Sequence, residues 1–250
     1  MSKYIETKRK PIFFKFIRFL IRIFYRKREF IGLENIPNEP SIIISNHAQA
    51  HGPLTNELFF PTKKYMWCIG EVMDTKQFPD YAMEDFWPNK PKWSRWFYKL
   101  LAFIMSPIAT YVFRHADTIP VYKDARIMYT FKETVKQLQE GNNIIIFPEK
   151  REPFNGIINE FQDKFIDVAK LYYKKSGKCV SFVPMYNCPK LKKMVIGKPI
   201  KYDPNIDINE FRKQLCSYLK NQITELALTL PSHYVVPYEN VSKKKYFKTK

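Results

Sequence analysis

Two histidines four residues apart, His47 and His51, stand in a stretch whose order suits proton transfer. It reads Ser41-Ile42-Ile43-Ile44-Ser45-Asn46-His47-Ala48-Gln49-Ala50-His51-Gly52-Pro53. Imidazole, with an ordinary pKa of about 6.5, can take and return a proton near neutral pH. The β-branched run 42–44, bounded by Pro40 and by Gly52-Pro53, predicts a buried strand. Residues just past such a strand lie on a loop at the sheet edge, where α/β proteins usually keep their sites. His47 is therefore the candidate base, and His51 is expected to be a polar residue at a helix start rather than a second base. The same residues also read as turn chemistry, with Asn46 and His47 satisfying local hydrogen bonds. A zinc pair would share the spacing of four. Here the glutamate of H-E-x-x-H is lacking, and Gly52-Pro53 predicts that the pair precedes a helix, so no metal site is expected. Gly52 is expected at the N-cap of that helix, with Pro53 in its first turn.

Three further stretches follow in order. Asp117-Thr118-Ile119-Pro120-Val121-Tyr122-Lys123 precedes a predicted helix, Ile144-Ile145-Ile146-Phe147-Pro148-Glu149 ends a second apolar run, and Val183-Pro184-Met185-Tyr186 lies in a third. Together with Asn46-His47 they resemble the lysophospholipid (1-acylglycerol-3-phosphate) acyltransferases, the PlsC-like glycerolphosphate acyltransferase family. Asn46-His47 is similar to the opening of its Asn-His-x4-Asp motif, and the others to its Gly-x-Ile-Pro-Val-x-Arg, Phe-Pro-Glu-Gly-Thr-Arg and final Val-Pro blocks. The likeness spans residues 29–202. Three departures stand out. Gly52 occupies the aspartate position, Lys123 the arginine of the second block, and Lys150-Arg151-Glu152 follows the Phe-Pro-Glu.

The resemblance implies an O-acyltransferase that moves a fatty acyl group to a lysophospholipid hydroxyl, with acyl-CoA or acyl-carrier protein as co-substrate and no cofactor. It implies His47 as base with Asn46 beside it. Glu149 is the first candidate to replace the missing aspartate, or else a loop cap. Lys123, Arg126 and Arg151 are candidates for an anionic head group. Gly52 would leave the first N–H groups of its helix for an anion. Restoring aspartate at 52 is expected to recover activity lost at Glu149. The alternative implied by Gly52 is a non-catalytic membrane- or lipid-binding relative.

These groups need a scaffold, and alternating strand and helix patterns predict an α/β fold, a mixed, mostly parallel sheet flanked by helices with an N-terminal amphipathic helix. The expected organisation is an interface helix at 1–28, a catalytic domain at 29–230 and a mobile basic tail at 231–250. In residues 11–28, Lys15, Arg18, Arg22 and Arg26 form one stripe on an aromatic-rich helix, which predicts peripheral binding to a membrane surface with anionic lipids. Residues 100–113, apolar but too short to span and broken by Pro107, are expected in the core, with a membrane-dipping segment as the alternative. Residues 159–176 read as one amphipathic helix. Asp207 is expected to cap a helix running to 230. The net charge of +18 calls for an anionic partner. No nucleic-acid module is recognisable, so no nucleic-acid partner is expected. Four cysteines without paired spacing predict reduced thiols, and with them a place on the cytoplasmic face of the membrane.

Overall fold

The isoleucine runs 42–44 and 144–146 become neighbouring parallel strands in which every isoleucine is buried. Runs buried on both faces read as continuous rather than alternating, which is why the sequence shows no period of two there. The computed structural model describes residues 10–250, so the first nine residues of the expected 1–28 segment lie outside the described residues. The chain divides into two compact units, Met1–Arg26 with Trp67–Thr130, and Lys27–Met66 with Phe131–Lys250.

The first unit is mainly helical. It holds α1 (Ile12–Phe24), α3 (Phe78–Asp85), α4 (Arg95–His115) and β4 (Thr118–Val121). α1 buries Phe14, which meets His115 of α4 at 6.3 Å, and Lys10 bonds Asp117 at 2.7 Å. Residues 12, 13, 16, 19, 20, 23 and 24, all apolar, are exposed. The expectation for residues 100–113 is overturned. They belong to a 21-residue helix that runs through Pro107. Only the small residues Ala102, Ser106 and Thr110, one turn apart, are buried in it, while Trp96, Phe97, Leu100, Phe103, Ile104 and Ile108 face outward. The physical reason is spacing. Residues four apart share a helix face, and here that inward face is the small one. The helical stretch Lys92–His115 is long and apolar enough to cross a membrane.

The second unit carries the sheet. Its strands are β1 (Glu29–Ile31), β2 (Ser41–Ser45), the first half of β3 (Lys64–Ile69), β5 (Asn143–Ile146), β8 (Ser181–Cys188), β9 (Lys193–Ile196) and β10 (Ile200–Lys201). The order is β1-β9-β8-β2-β5-β3, with β10 on β8. The pairs β1/β9, β8/β2, β2/β5 and β5/β3 are parallel, while β8/β9 and β10/β8 are antiparallel. A mixed α/β fold with a mostly parallel sheet flanked by helices is therefore what the chain adopts. One side of the sheet packs Ile43, Ile145, Val183 and Met194 together. Phe182 stands against Phe165 and against Phe211 of α7 (Ile208–Leu228). Asp207 caps α7 as the sequence predicts, accepting from the N–H groups of Asn209 and Glu210.

Two expectations for this unit change. Residues 159–176 are not one helix. Asn159–Phe161 is β7, paired in a hairpin with β6 (Glu149–Phe154), and the helix α6 starts only at Asp167 and runs to Ser176. The segment 231–250, expected to be mobile, packs closely. His233, Val235, Val236 and Thr249 are buried, and Nε2 of His233 lies 2.9 Å from the buried Tyr186 hydroxyl. Four buried side chains hold the segment down, and a count of its lysines gave no sign of them.

Candidate active site

The carboxyl ends of three adjacent parallel strands converge at Asn46-His47, and this is the edge where open α/β sheets place their sites. β2 ends at Ser45 and delivers Asn46 and His47, β5 ends at Ile146 and delivers Phe147 and Glu149, and Asn187 stands near the end of β8. Asn46, buried, is tied to β8 by two bonds. Its Nδ2 donates to the Asn187 carbonyl at 3.0 Å, and its Oδ1 accepts from the Asn187 N–H at 2.6 Å. An asparagine is suited to this, since one amide offers a donor and an acceptor to one peptide. Asn46 thus fixes the strand end from which His47 projects.

His47 is half-buried between two aromatic rings, Phe147 at 5.2 Å and Tyr238 at 5.3 Å, both edge-on. Glu149 is buried, with both oxygens on main chain. Oε1 accepts from the His47 N–H at 2.6 Å, and Oε2 accepts from the Asn159 N–H at 3.1 Å. Glu149 therefore does not take the aspartate's expected place on the ring; it meets the His47 peptide, as the alternative of a loop cap predicts. Burial pushes its pKa up from the usual 4.5 to about 7, against the pull of the two N–H bonds.

Gly52 is not an N-cap. The helix α2 runs from His51 to Phe59 with Ala50 as its cap, so Gly52 and Pro53 fall inside the first turn. Gly52 donates its N–H to the His47 carbonyl at 3.0 Å. A Cβ at 52 would stand 2.6 Å from the His47 oxygen, 2.9 Å from Phe147 and 3.1 Å from the Asn46 oxygen. There is no room for an aspartate, so the expected rescue by aspartate at 52 is withdrawn. The turn between β2 and α2 is unusual in a second way: Ala48 and Gln49 have φ of 48° and 55°, a region L residues seldom occupy. Gln49 is held there by bonds from Nε2 to the Glu239 carbonyl and the Tyr246 hydroxyl, each 3.1 Å.

The cationic candidates separate. Arg151 lies in the β6–β7 hairpin, exposed, with Nε 3.7 Å from the Glu239 carboxylate. Lys123 and Arg126 belong to the first unit and are exposed. The Arg126 guanidinium is engaged by Asp124, at 2.7 Å from Nη2, and lies over the Tyr122 ring at 4.2 Å. It holds the Asp124 carboxyl down to about 2. The imidazole of His51 is pushed below its usual pKa, first by burial and then by the charges of Arg28 and Lys190. Among the described residues no cluster of three metal-ligating side chains occurs. Sequence reasoning missed Tyr238, Glu239 and Tyr246. The signal was the apolar and aromatic run Tyr234-Val235-Val236-Pro237-Tyr238, out of place in a solvated tail.

No protein-family model matches the chain, and no curated protein matches it. A solved structure does: the 1-acyl-sn-glycerophosphate (LPA) acyltransferase PlsC from Thermotoga maritima, at a TM-score of 0.52 and 16% identity. The match covers 87% of this chain and 81% of that one. At that identity the likeness is one of architecture, and the chain has the fold of this acyltransferase.

Proposed function

We propose that the chain is an O-acyltransferase with His47 as its general base. The observation that carries this is His47 at the carboxyl end of a parallel strand, its peptide held by the buried Glu149, in a fold shared with an acyltransferase. With Nδ1 buried, Nε2 is the nitrogen that takes the proton. The acceptor hydroxyl gives its proton to His47 as its oxygen attacks the thioester carbonyl. The C–S bond then breaks, and the proton passes to the departing thiolate. The donor is acyl-CoA or acyl-carrier protein, and the acceptor is a lysophospholipid such as 1-acylglycerol 3-phosphate. Phospholipid biosynthesis is the setting.

The enzyme would work at a membrane surface, peripherally, on the cytoplasmic face. Support comes from the first unit, where α1 and α4 each expose an apolar face and that of α1 is flanked by Lys15, Arg18 and Arg22 along the same helix. A helix with an apolar face flanked by cations suits the interface of an anionic bilayer. A second reading, a non-catalytic lipid-binding relative, is favoured by Glu149 giving both oxygens to main-chain N–H groups.

The test is acyl transfer from labelled acyl-CoA and acyl-carrier protein to a panel of lysolipids. His47→Ala should abolish turnover with the unfolding transition unchanged, and His51→Ala should cost much less. Near wild-type turnover by His47→Ala would sink the assignment. No transfer by the wild type to any acceptor would leave the non-catalytic reading.

A further inference from the structure

The turn after β2 and the C-terminal segment together line an open cavity of about 240 Å3. From the turn come Gln49 and His51, from the end of β8 Lys190, and from the C-terminal segment Val236, Lys243 and Tyr246. All belong to the second unit. No carboxylate is among the lining residues, while two ammonium groups are. Neither ammonium has an ion-pair partner among the described residues. The nearby carboxylate of the segment, Glu239, is turned to Arg151. Gln49 is bonded to the Tyr246 hydroxyl, and Lys190 lies over the Tyr246 ring at 5.8 Å, while both lysines reach solvent. The first amides of α2 are already taken, that of His51 by the Ala48 carbonyl and that of Gly52 by the His47 carbonyl, so side chains and not a helix end make the site.

The cavity is small beside the roughly 300–1,000 Å3 of ordinary ligand sites, and its charged groups are the two lysine ammoniums, the Gln49 N–H groups being spent on the Glu239 carbonyl and the Tyr246 hydroxyl. It suits a compact anion and not an acyl chain. It also adjoins the proposed base. Gln49 is two residues from His47, and Tyr238, two residues past Val236, lies edge-on to the His47 ring. We propose that this cavity is a subsite for a phosphate monoester carried by one of the two substrates, with Lys190 and Lys243 as its cationic walls. The identification with a substrate rests on the acyltransfer reading; the binding does not. Two substrates carry such a group, the acceptor through a glycerol phosphate head and coenzyme A through its 3′-phosphate. An anion here would also offset the Lys190 charge that depresses the His51 pKa.

Equilibrium binding of inorganic phosphate, glycerol 3-phosphate, coenzyme A and dephospho-coenzyme A to the full chain tests this. Lys190→Ala and Lys243→Ala should each weaken phosphate binding by roughly two- to tenfold, the scale of one solvent-exposed polar contact. The remote, exposed Lys213→Ala should leave it unchanged. Lysine dependence of glycerol 3-phosphate binding assigns the subsite to the acceptor. Lysine dependence for coenzyme A that vanishes for the dephospho form assigns it to the donor. His47→Ala should bind as the wild type does, so a failure of catalysis does not touch this result. Binding of all four ligands indifferent to Lys190 and Lys243, or equally sensitive to Lys213, overturns the proposal.

Discussion

Replacing Glu149 by glutamine isolates the one buried carboxylate at the candidate site. In the wild type, burial raises the folded-state pKa to about 7 from 4.5. The folded protein therefore holds a proton between those values that the unfolded chain has released. Stability must fall as pH rises through that window and level off above it. Between pH 5 and pH 8 the loss comes to about 2–3 kcal/mol. Glutamine keeps the shape and one acceptor, which can stay on the His47 N–H. Its NH2 then faces the Asn159 N–H, donor against donor, which costs about 1–3 kcal/mol at any pH. Glu149→Gln should thus be less stable than the wild type at pH 5 and about equal to it, or more stable, at pH 8. Urea unfolding of both proteins at a series of pH values reads the difference directly, because every other titrating group is common to the two. Parallel stability curves would refute the reasoning, since they would mean that Glu149 is ionised in the folded protein throughout.

Three other outcomes follow from the same contacts. Gly52→Ala should destabilise by about 1–3 kcal/mol, the scale of overpacking, because its Cβ would meet the His47 and Asn46 carbonyl oxygens; an unchanged denaturation midpoint would show that the turn yields. Tyr238→Ala should lower kcat about three- to tenfold, matching the 0.5–1.5 kcal/mol of an aromatic pair, while Tyr238→Phe, which keeps the ring, should restore it and leave the pH profile as in the wild type. Phe103→Asp or Ile104→Asp on the outward face of α4 should cut binding to anionic vesicles more than tenfold, from about 2 kcal/mol of lost apolar contact each, with no change in the unfolding transition; unchanged vesicle binding would remove α4 from the membrane face.

How much of this was legible depended on whether the signal was local. The buried strands at 42–44 and 144–146 and the Asp207 cap of α7 follow from periodicity and punctuation, which are properties of neighbouring residues. α4 was misjudged because an apolar count does not tell which way a helix faces, and the inward residues Ala102, Ser106 and Thr110 are the least apolar of the stretch. β7 was read as the start of a helix because its pairing with β6, Glu149 opposite Phe161 and Phe154 opposite Asn159, joins residues that no local pattern links. The C-terminal segment was misread for the opposite reason. Its lysines dominate composition, while the few residues that anchor it, His233, Val235 and Thr249, find their partners only in the folded second unit.

Gly52 and Glu149 are best understood as one arrangement. With no side chain at 52, α2 can start close enough for the Gly52 N–H to bond the His47 carbonyl, and no carboxylate can stand there. The His47 peptide is consequently gripped from both sides, its carbonyl by Gly52 and its N–H by the carboxylate of Glu149. That grip fixes the backbone of the proposed base without a bond to its ring, and it leaves ring orientation to the edges of Phe147 and Tyr238. Geometry of this kind positions an imidazole but does less than a carboxylate on Nδ1 to stabilise the cation formed when the hydroxyl is attacked. A catalyst so built should respond in rate to Tyr238, whose ring edge orients the imidazole. A turnover rate at saturating substrate governed instead by Lys190 or Lys243 would place the key chemistry at the proposed phosphate subsite and not at the imidazole.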